Sequence, residues 1–262
     1  MLKKRSSFKI TRAVLFALVL REVRGRLSKN RMGLFWFLFE PIAHILLLLI
    51  IFSTLRHRTM PGVDLPLFLI NGIVPFLVFK NISLKGMEAV NANQGLFAYR
   101  QVKPFDMVAA RMVVEISLMA CVYVLMLLGL WWLFGYDVLI HQPLQWMLIL
   151  VTGCGLAFGS ALIFCVIIDA LPESATVIRL MYMPLYLISG VIFPIWLLPE
   201  SYVSLLLWNP YLHLIELLRE NSIAYYPKVD QVNYFYPAVC AVLSLFIGMS
   251  LYRLRRLRLA AS

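Results

Sequence analysis

The chain has little charge and very little acid. Only 14% of its 262 residues are charged, and 13 Asp and Glu face 24 Lys and Arg, a formal net charge of +11. Cysteine is sparse too: Cys121, Cys154, Cys165 and Cys240 stand singly in apolar stretches, with no C-x-x-C pair and no neighbouring His. That excludes a disulfide framework or a thiolate metal site and makes them small hydrophobes. There is no G-x-x-x-x-G-K-[ST] segment to cradle nucleotide phosphates, and no H-E-x-x-H to hold a catalytic metal. Ser189-Gly190 lacks the upstream glycine of a nucleophile elbow. His44, His57, His141 and His213 lie too far apart to share a metal-ligand spacing, so each reads as structural.

What the chain has instead is apolar length. Hydrophobic side chains make up 62% of it, with a mean hydropathy of +0.84, far beyond soluble composition. The surplus falls in runs of roughly 20 residues, enough to cross a bilayer at 1.5 Å rise per residue. The basic residues sit at the ends of those runs, which makes them topology determinants and argues against a nucleic-acid partner.

Residues 20–41 set the frame. Arg21, Arg24, Arg26, Lys29 and Arg31 run directly into an apolar segment that continues to Leu55. Such a cluster holds its end of the helix on the cytosolic side and presents cations to arriving head groups. Residues 1–33 carry ten Lys or Arg against Glu22, and within them residues 13–20 are apolar but too short to span. We read this part as a cytosolic basic segment with an interfacial helix. The basic region is too long, and Glu40, Pro41 and His44 too polar, for a cleaved signal peptide.

Residues 34–262 read as an all-α integral membrane domain with six spans near 34–55, 65–79, 107–134, 144–168, 175–192 and 234–252. Pro66, Asn71, Gly72 and Pro75 predict a kink in the second. Residues 80–106 form a long polar loop whose middle, 83–93, favours a helix, punctuated by Gly95 and Pro104. Glu115 follows Arg111 by four residues, which predicts an ion pair on the helix surface. In the fourth span Gly155 and Gly159 form a GxxxG pair for close helix packing. Residues 193–226 mix prolines with Trp196 and Trp208 and read as a re-entrant external segment between spans five and six. With both termini cytosolic, twenty of the 24 basic residues fall inside.

Four motifs in order carry a resemblance. Arg21-Glu22-Val-Arg24-x-Arg26, Gly33-x-x-Trp36 and Glu40-Pro41 resemble the N-terminal signature of ABC-2 type permeases that export polysaccharides. Arg100-Gln-Val-Lys-Pro-Phe-Asp106 with Ala110-Arg111 and Glu115 resembles the loop before the third span in the capsular polysaccharide branch. Ser189-Gly-Val-Ile-Phe-Pro194 with Leu198-Pro199, and Asn209-Pro210-x-x-His213-x-x-Glu216-x-x-Arg219, are similar to its external motifs. Leu27 departs from the pattern, standing where relatives commonly carry an aromatic residue.

The resemblance implies the membrane subunit of an ATP-driven exporter in the bacterial inner membrane, moving lipid-anchored capsular polysaccharide from cytoplasm to periplasm. It implies a homodimer with two copies of a separate ATPase, which binds the ATP and Mg, and periplasmic and outer-membrane export proteins beyond. This chain would bind no cofactor or metal and would itself be no enzyme. Arg21, Arg24, Arg26 and Arg31 would receive the anionic lipid end of an acidic polysaccharide. Lys85, Met87, Glu88 and Val90 would meet the ATPase. Trp196, Trp208, Glu216 and Arg219 would line or cap the exit, with the tryptophans either stacking on sugar rings or anchoring in the head groups. O-antigen, teichoic acid or another amphiphile is the alternative cargo. An intramembrane transferase for lipid-linked sugars is the alternative class, and the paired carboxylates or metal motif it needs are missing from the sequence.

Overall fold

The computed structural model describes residues 7–28, 33–55, 63–98 and 101–261, and among them every regular element is helical. In order they are α1 (Ser7–Ser28), α2 (Gly33–Leu55), α3 (Leu65–Met87), a 3₁₀ segment (Asn91–Ala98), α4 (Pro104–Phe134), α5 (Pro143–Ala170) and α6 (Ser174–Ile188). A 3₁₀ turn (Ile195–Leu197), α7 (Glu200–Leu206), α8 (Pro210–Ser222) and α9 (Phe235–Ala261) complete the chain. Among the described residues Leu65–Met87, Pro104–Phe134, Pro143–Ala170 and Phe235–Arg256 are long and apolar enough to cross a membrane, and Phe39–Phe52 and Ser174–Ile188 are shorter apolar helices.

The helices pack around α3 and α5. Phe68, Phe76, Phe79 and Ile82 of α3 are fully enclosed, and α5 meets α3 on one side and α9 on the other. Small residues set these distances. A Cβ on Gly159 would lie 2.5 Å from the Ser244 backbone, and one on Gly248 would lie 2.7 Å from Gly159 O. A Cβ on Gly155, one turn away, would meet only the Leu245 side chain at 3.6 Å, an ordinary contact. On the α3 side, Gly153 makes room for the Phe79 ring and Ser83 Oγ donates to Ala157 O at 3.1 Å. Close backbone approach of this kind substitutes for the hydrophobic driving force that lipid removes.

Several elements differ from the sequence reading. The helix of the expected second span, α3, does not stop near residue 79 but runs to Met87, because Ser83 and Gly86 are spent on α5 packing instead of starting a loop helix. The remainder of the expected 83–93 helix is a turn followed by the 3₁₀ segment, broken at Asn93. α3 is also continuous through Pro75; Asn71 donates its side-chain amide to Leu67 O and accepts Tyr123 Oη at 2.7 Å. The helix of the expected fifth span, α6, ends at Ile188, since Gly190 takes a left-handed φ of +66° and turns the chain. The motif before α4 is a helix cap: Pro104 opens the first turn and Asp106 Oδ2 accepts from Lys103 N at 3.1 Å. α1 lies on α4, and α8 lies against α3 and α5.

Candidate functional site

Helical spacing gathers a cavity of mixed lining, with several charged groups in its wall, at the basic end of the bundle. Phe76, Leu77, Lys80 and Asn81 share one face of α3; Arg179, Tyr182, Met183 and Tyr186 share one face of α6. Glu40, Pro41 and His44 of α2 supply the third wall of a cavity of about 560 Å³. His44 Nε2 and Tyr186 Oη, 3.2 Å apart, join α2 to α6. Lys80, Lys85 and Arg179 bring three cations to this space against the single acid Glu40.

Two of those cations are held from behind by carboxylates. Lys85 Nζ lies 2.9 Å from Glu115 Oε2, and Arg179 Nε donates to Glu88 Oε1 at 3.0 Å. Glu115 is fully buried in α4, and its other oxygen takes Arg26 of α1. Two cations make the burial of that charge tolerable. Arg111 does not pair with Glu115 as the four-residue spacing suggests. It donates to Lys85 O at 2.6 Å and faces Glu22 of α1 at 3.5 Å, while Glu22 also meets Arg26 at 3.2 Å. The helix-surface expectation fails because α1 and α3 both dock on this face of α4 and compete for its charges.

This placement separates the residues expected to act together. Arg21 and Arg24 are exposed on α1, whereas Arg26 is committed to Glu115; Arg31 lies outside the described residues. Of the four residues expected to meet an ATPase, Lys85 faces the cavity and Glu88 remains half exposed on Arg179. Met87 and Val90 are buried in the protomer's own core, which corrects their reading as surface anchors: α3 packs its last turn inward against α4 and α5. Sequence reasoning missed Lys80, His44, Arg179 and Tyr186 as partners. Lys80 and Arg179 registered only as topology charges, and nothing in one helix's spacing reveals a neighbour more than 90 residues away.

At the opposite end Arg219 of α8 is completely enclosed. Its guanidinium donates to Phe68 O (3.2 Å), Gly190 O (2.8 Å) and Val191 O (2.6 Å), and to Glu216 Oε1 at 2.9 Å. The Phe68 ring lies 3.6 Å from Cζ. Glu216 Oε2 accepts from Tyr226 Oη at 2.7 Å, and Trp196 packs edge-on against Tyr226 and Phe68. Asn209 caps α8 by accepting from Tyr211 N and donates to Ser189 Oγ at 2.9 Å. The motifs of residues 189–199 and 209–219 are thus one interlocked unit. Within the protomer Glu216 and Arg219 are interior groups and Trp196 is half buried, while the Trp208 ring is 62% exposed.

A helical bundle with close-packed small residues, long apolar helices and a basic cavity at the end where the positive charges gather describes a membrane transport subunit. The sequence matches the ABC-2 type transporter family over residues 13–223, and the chain belongs to that family. It is 41% identical over 254 residues to the polysialic acid transport protein KpsM of Escherichia coli, covering 96% of each chain. It is 25% identical to the capsule polysaccharide export inner-membrane protein CtrC of Neisseria meningitidis, over 93% of this chain and 91% of that one. It is 24% identical to the corresponding protein BexB of Haemophilus influenzae, over 82% and 81%.

Proposed function

We infer that this chain is the membrane permease of a capsule polysaccharide export system in a bacterial inner membrane. The observation that carries the reading is the 41% identity to a polysialic acid transport protein, which runs through nearly the full length of both chains. We take α2, α3, α4, α5, α6 and α9 as its six spans: alternating in direction, they would put the basic residues of the 85–111 region and the α9 terminus at one end, on the cytosolic side. In that topology 189–226 forms the external, re-entrant segment, both termini are cytosolic, and the cavity opens in the cytosolic half. The exposed apolar faces of α2 and α6 beside it suit a second copy of the chain, with the transport path between the two.

The cavity supports an anionic, lipid-anchored cargo. Its cations and two tyrosines suit a phosphate or carboxylate with an adjoining sugar, and exposed Arg21 and Arg24 of α1 lie at the same end to gather it from the leaflet. Energy comes from two copies of a separate ATPase, met by Glu88 and the exposed start of the 3₁₀ segment, Asn91 and Ala92. Periplasmic and outer-membrane export proteins receive the polymer. Deleting the gene in its host should abolish surface capsule and leave lipid-linked acidic glycan inside the cell, restored by the wild-type gene; co-purification should recover the ATPase. Intact surface capsule after deletion overturns the reading, and accumulation of O-antigen in place of capsular glycan would reassign the cargo.

A further inference from the structure

Lys85 is a wall of the cavity and also a partner of Glu115, and Glu115 is in turn bound to α1 through Arg26. One buried carboxylate thus stands between the space where an anion would sit and the helix at the membrane surface. Its two cations are only partly enclosed: the Lys85 side chain is 34% exposed and that of Arg26 20%, while Glu115 has no exposure at all. Lys85 and Arg26 repel each other across it, and each weakens the other's hold. An anion in the cavity neutralises Lys85, or draws its flexible ammonium away. Either way Arg26 becomes the dominant partner of a charge that cannot reach water, and α1 is held more firmly. Arg111 keeps the end of α3 in place meanwhile, through the Lys85 carbonyl.

We propose that Glu115 is a positioning residue that couples the cavity to α1: it shares its charge between Lys85 and Arg26, so that an anionic group binding at Lys80 and Lys85 tightens α1 onto α4. The inference rests on the reading of the cavity as the entry for an anionic head group. It adds a route by which the cytosolic surface registers an occupied cavity. Reciprocity follows: whatever strengthens the Glu115–Lys85 pair must weaken anion binding, and removing the Glu115 charge must strengthen it.

The test uses the full-length permease in phosphatidylcholine nanodiscs, with glycerol 3-phosphate as probe and glycerol as neutral control at constant ionic strength. In wild type the phosphate should slow amide exchange over residues 21–28 several-fold, and glycerol should not. Lys80→Ala should weaken phosphate binding and with it the response, which separates the cavity from direct contact with the arginines of α1. Glu115→Gln should exchange faster at rest, bind the phosphate several-fold more tightly and lose the response; Glu115→Asp should restore it. Arg26→Gln leaves the cavity walls intact but gives Glu115 wholly to Lys85, so it should bind the phosphate several-fold more weakly and lose the response. A merely structural Glu115 would weaken binding when replaced and leave the ratio with and without phosphate unchanged. An unchanged ratio in Glu115→Gln, no response in wild type, or no binding at all overturns the proposal. These measurements do not involve the glycan. Capsule lost on deletion with no α1 response sinks the coupling alone, and the opposite pair of results sinks the capsule reading alone.

Discussion

Arg219 and Glu115 are both completely buried charges in a bundle built of apolar helices, yet they are held in opposite ways. Arg219 is bound by main-chain carbonyls of three residues, by a carboxylate one turn away on its own helix and by an aromatic face. None of those carbonyls can leave without unfolding α3 or the turn after α6. Glu115 is bound by two long side chains from two other helices, each partly in contact with water. Its partners can be exchanged by rotamer changes alone. A charge solvated by backbone is a fixed joint, and a charge solvated by flexible cations is one that a competing ion can adjust.

The comparison predicts its largest effect at Arg219. Replacing it with Leu leaves Glu216 buried without its cation and takes the Arg219 donor from the Gly190 and Val191 carbonyls, a loss of about 3–5 kcal/mol. Folded protein in detergent should fall steeply, and adding Glu216→Gln should recover part of it. Gly72→Ala should act in the same direction, since its Cβ would stand 2.0 Å from Arg219 Nη2. A thermal midpoint unmoved by Arg219→Leu would end the idea of a fixed joint.

Between the two ends, the α5–α9 crossing tests whether backbone approach alone can be as unforgiving. Gly159→Leu should cost about 1–3 kcal/mol by forcing the helices apart. Gly155→Leu should stay within about 0.5 kcal/mol. Equal loss at both positions would mean that the GxxxG spacing, not the single tight contact, sets the crossing.

At the basic end the cost should be smaller and dependent on salt. Arg179→Ala removes a half-exposed pair with Glu88, worth no more than about 1 kcal/mol and screened by salt. Thermal midpoints of wild type and variant should converge as salt is raised. A loss as large as that at Arg219 would show that the cavity wall is a rigid joint too.

The all-helical class, the apolar helices and the external motifs were legible in the sequence because each is a local pattern: an apolar run, a small-residue spacing, a Pro-opened helix. What was not legible was partnership. Glu115 has a cation four residues before it in Arg111, and only packing reveals that Arg26 and Lys85 take the carboxylate instead. Met87 and Val90 lie in a stretch polar enough to read as a loop, yet Ser83 and Gly86 extend α3 and turn both inward. Arg219 could be placed in a motif, but its partners Phe68 and Gly190 stand 151 and 29 residues away.

The smallest stability effect is expected at Trp208, and it bears on what the Arg219 end does beyond holding itself together. Trp196 and Trp208 look alike in the sequence, each beside a proline-bearing turn. The Trp196 ring is wedged between Phe68 and Tyr226, next to the Arg219 joint, so Trp196→Ala should lower stability as aromatic core truncations do, by up to about 3 kcal/mol. Trp208 has its carbonyl bound by Tyr236 Oη and is followed by the buried Asn209, while its ring stands free of the joint. The backbone is fixed and the ring is presented outward, an arrangement suited to stacking on a sugar or to lying among lipid head groups. Trp208→Ala should leave the thermal midpoint within about 0.5 kcal/mol of wild type in stability. Stacking predicts reduced export at equal protein level, with Phe at 208 restoring part of it. Export unchanged in Trp208→Ala would assign the ring to the head-group layer and leave the Arg219 end as a joint only.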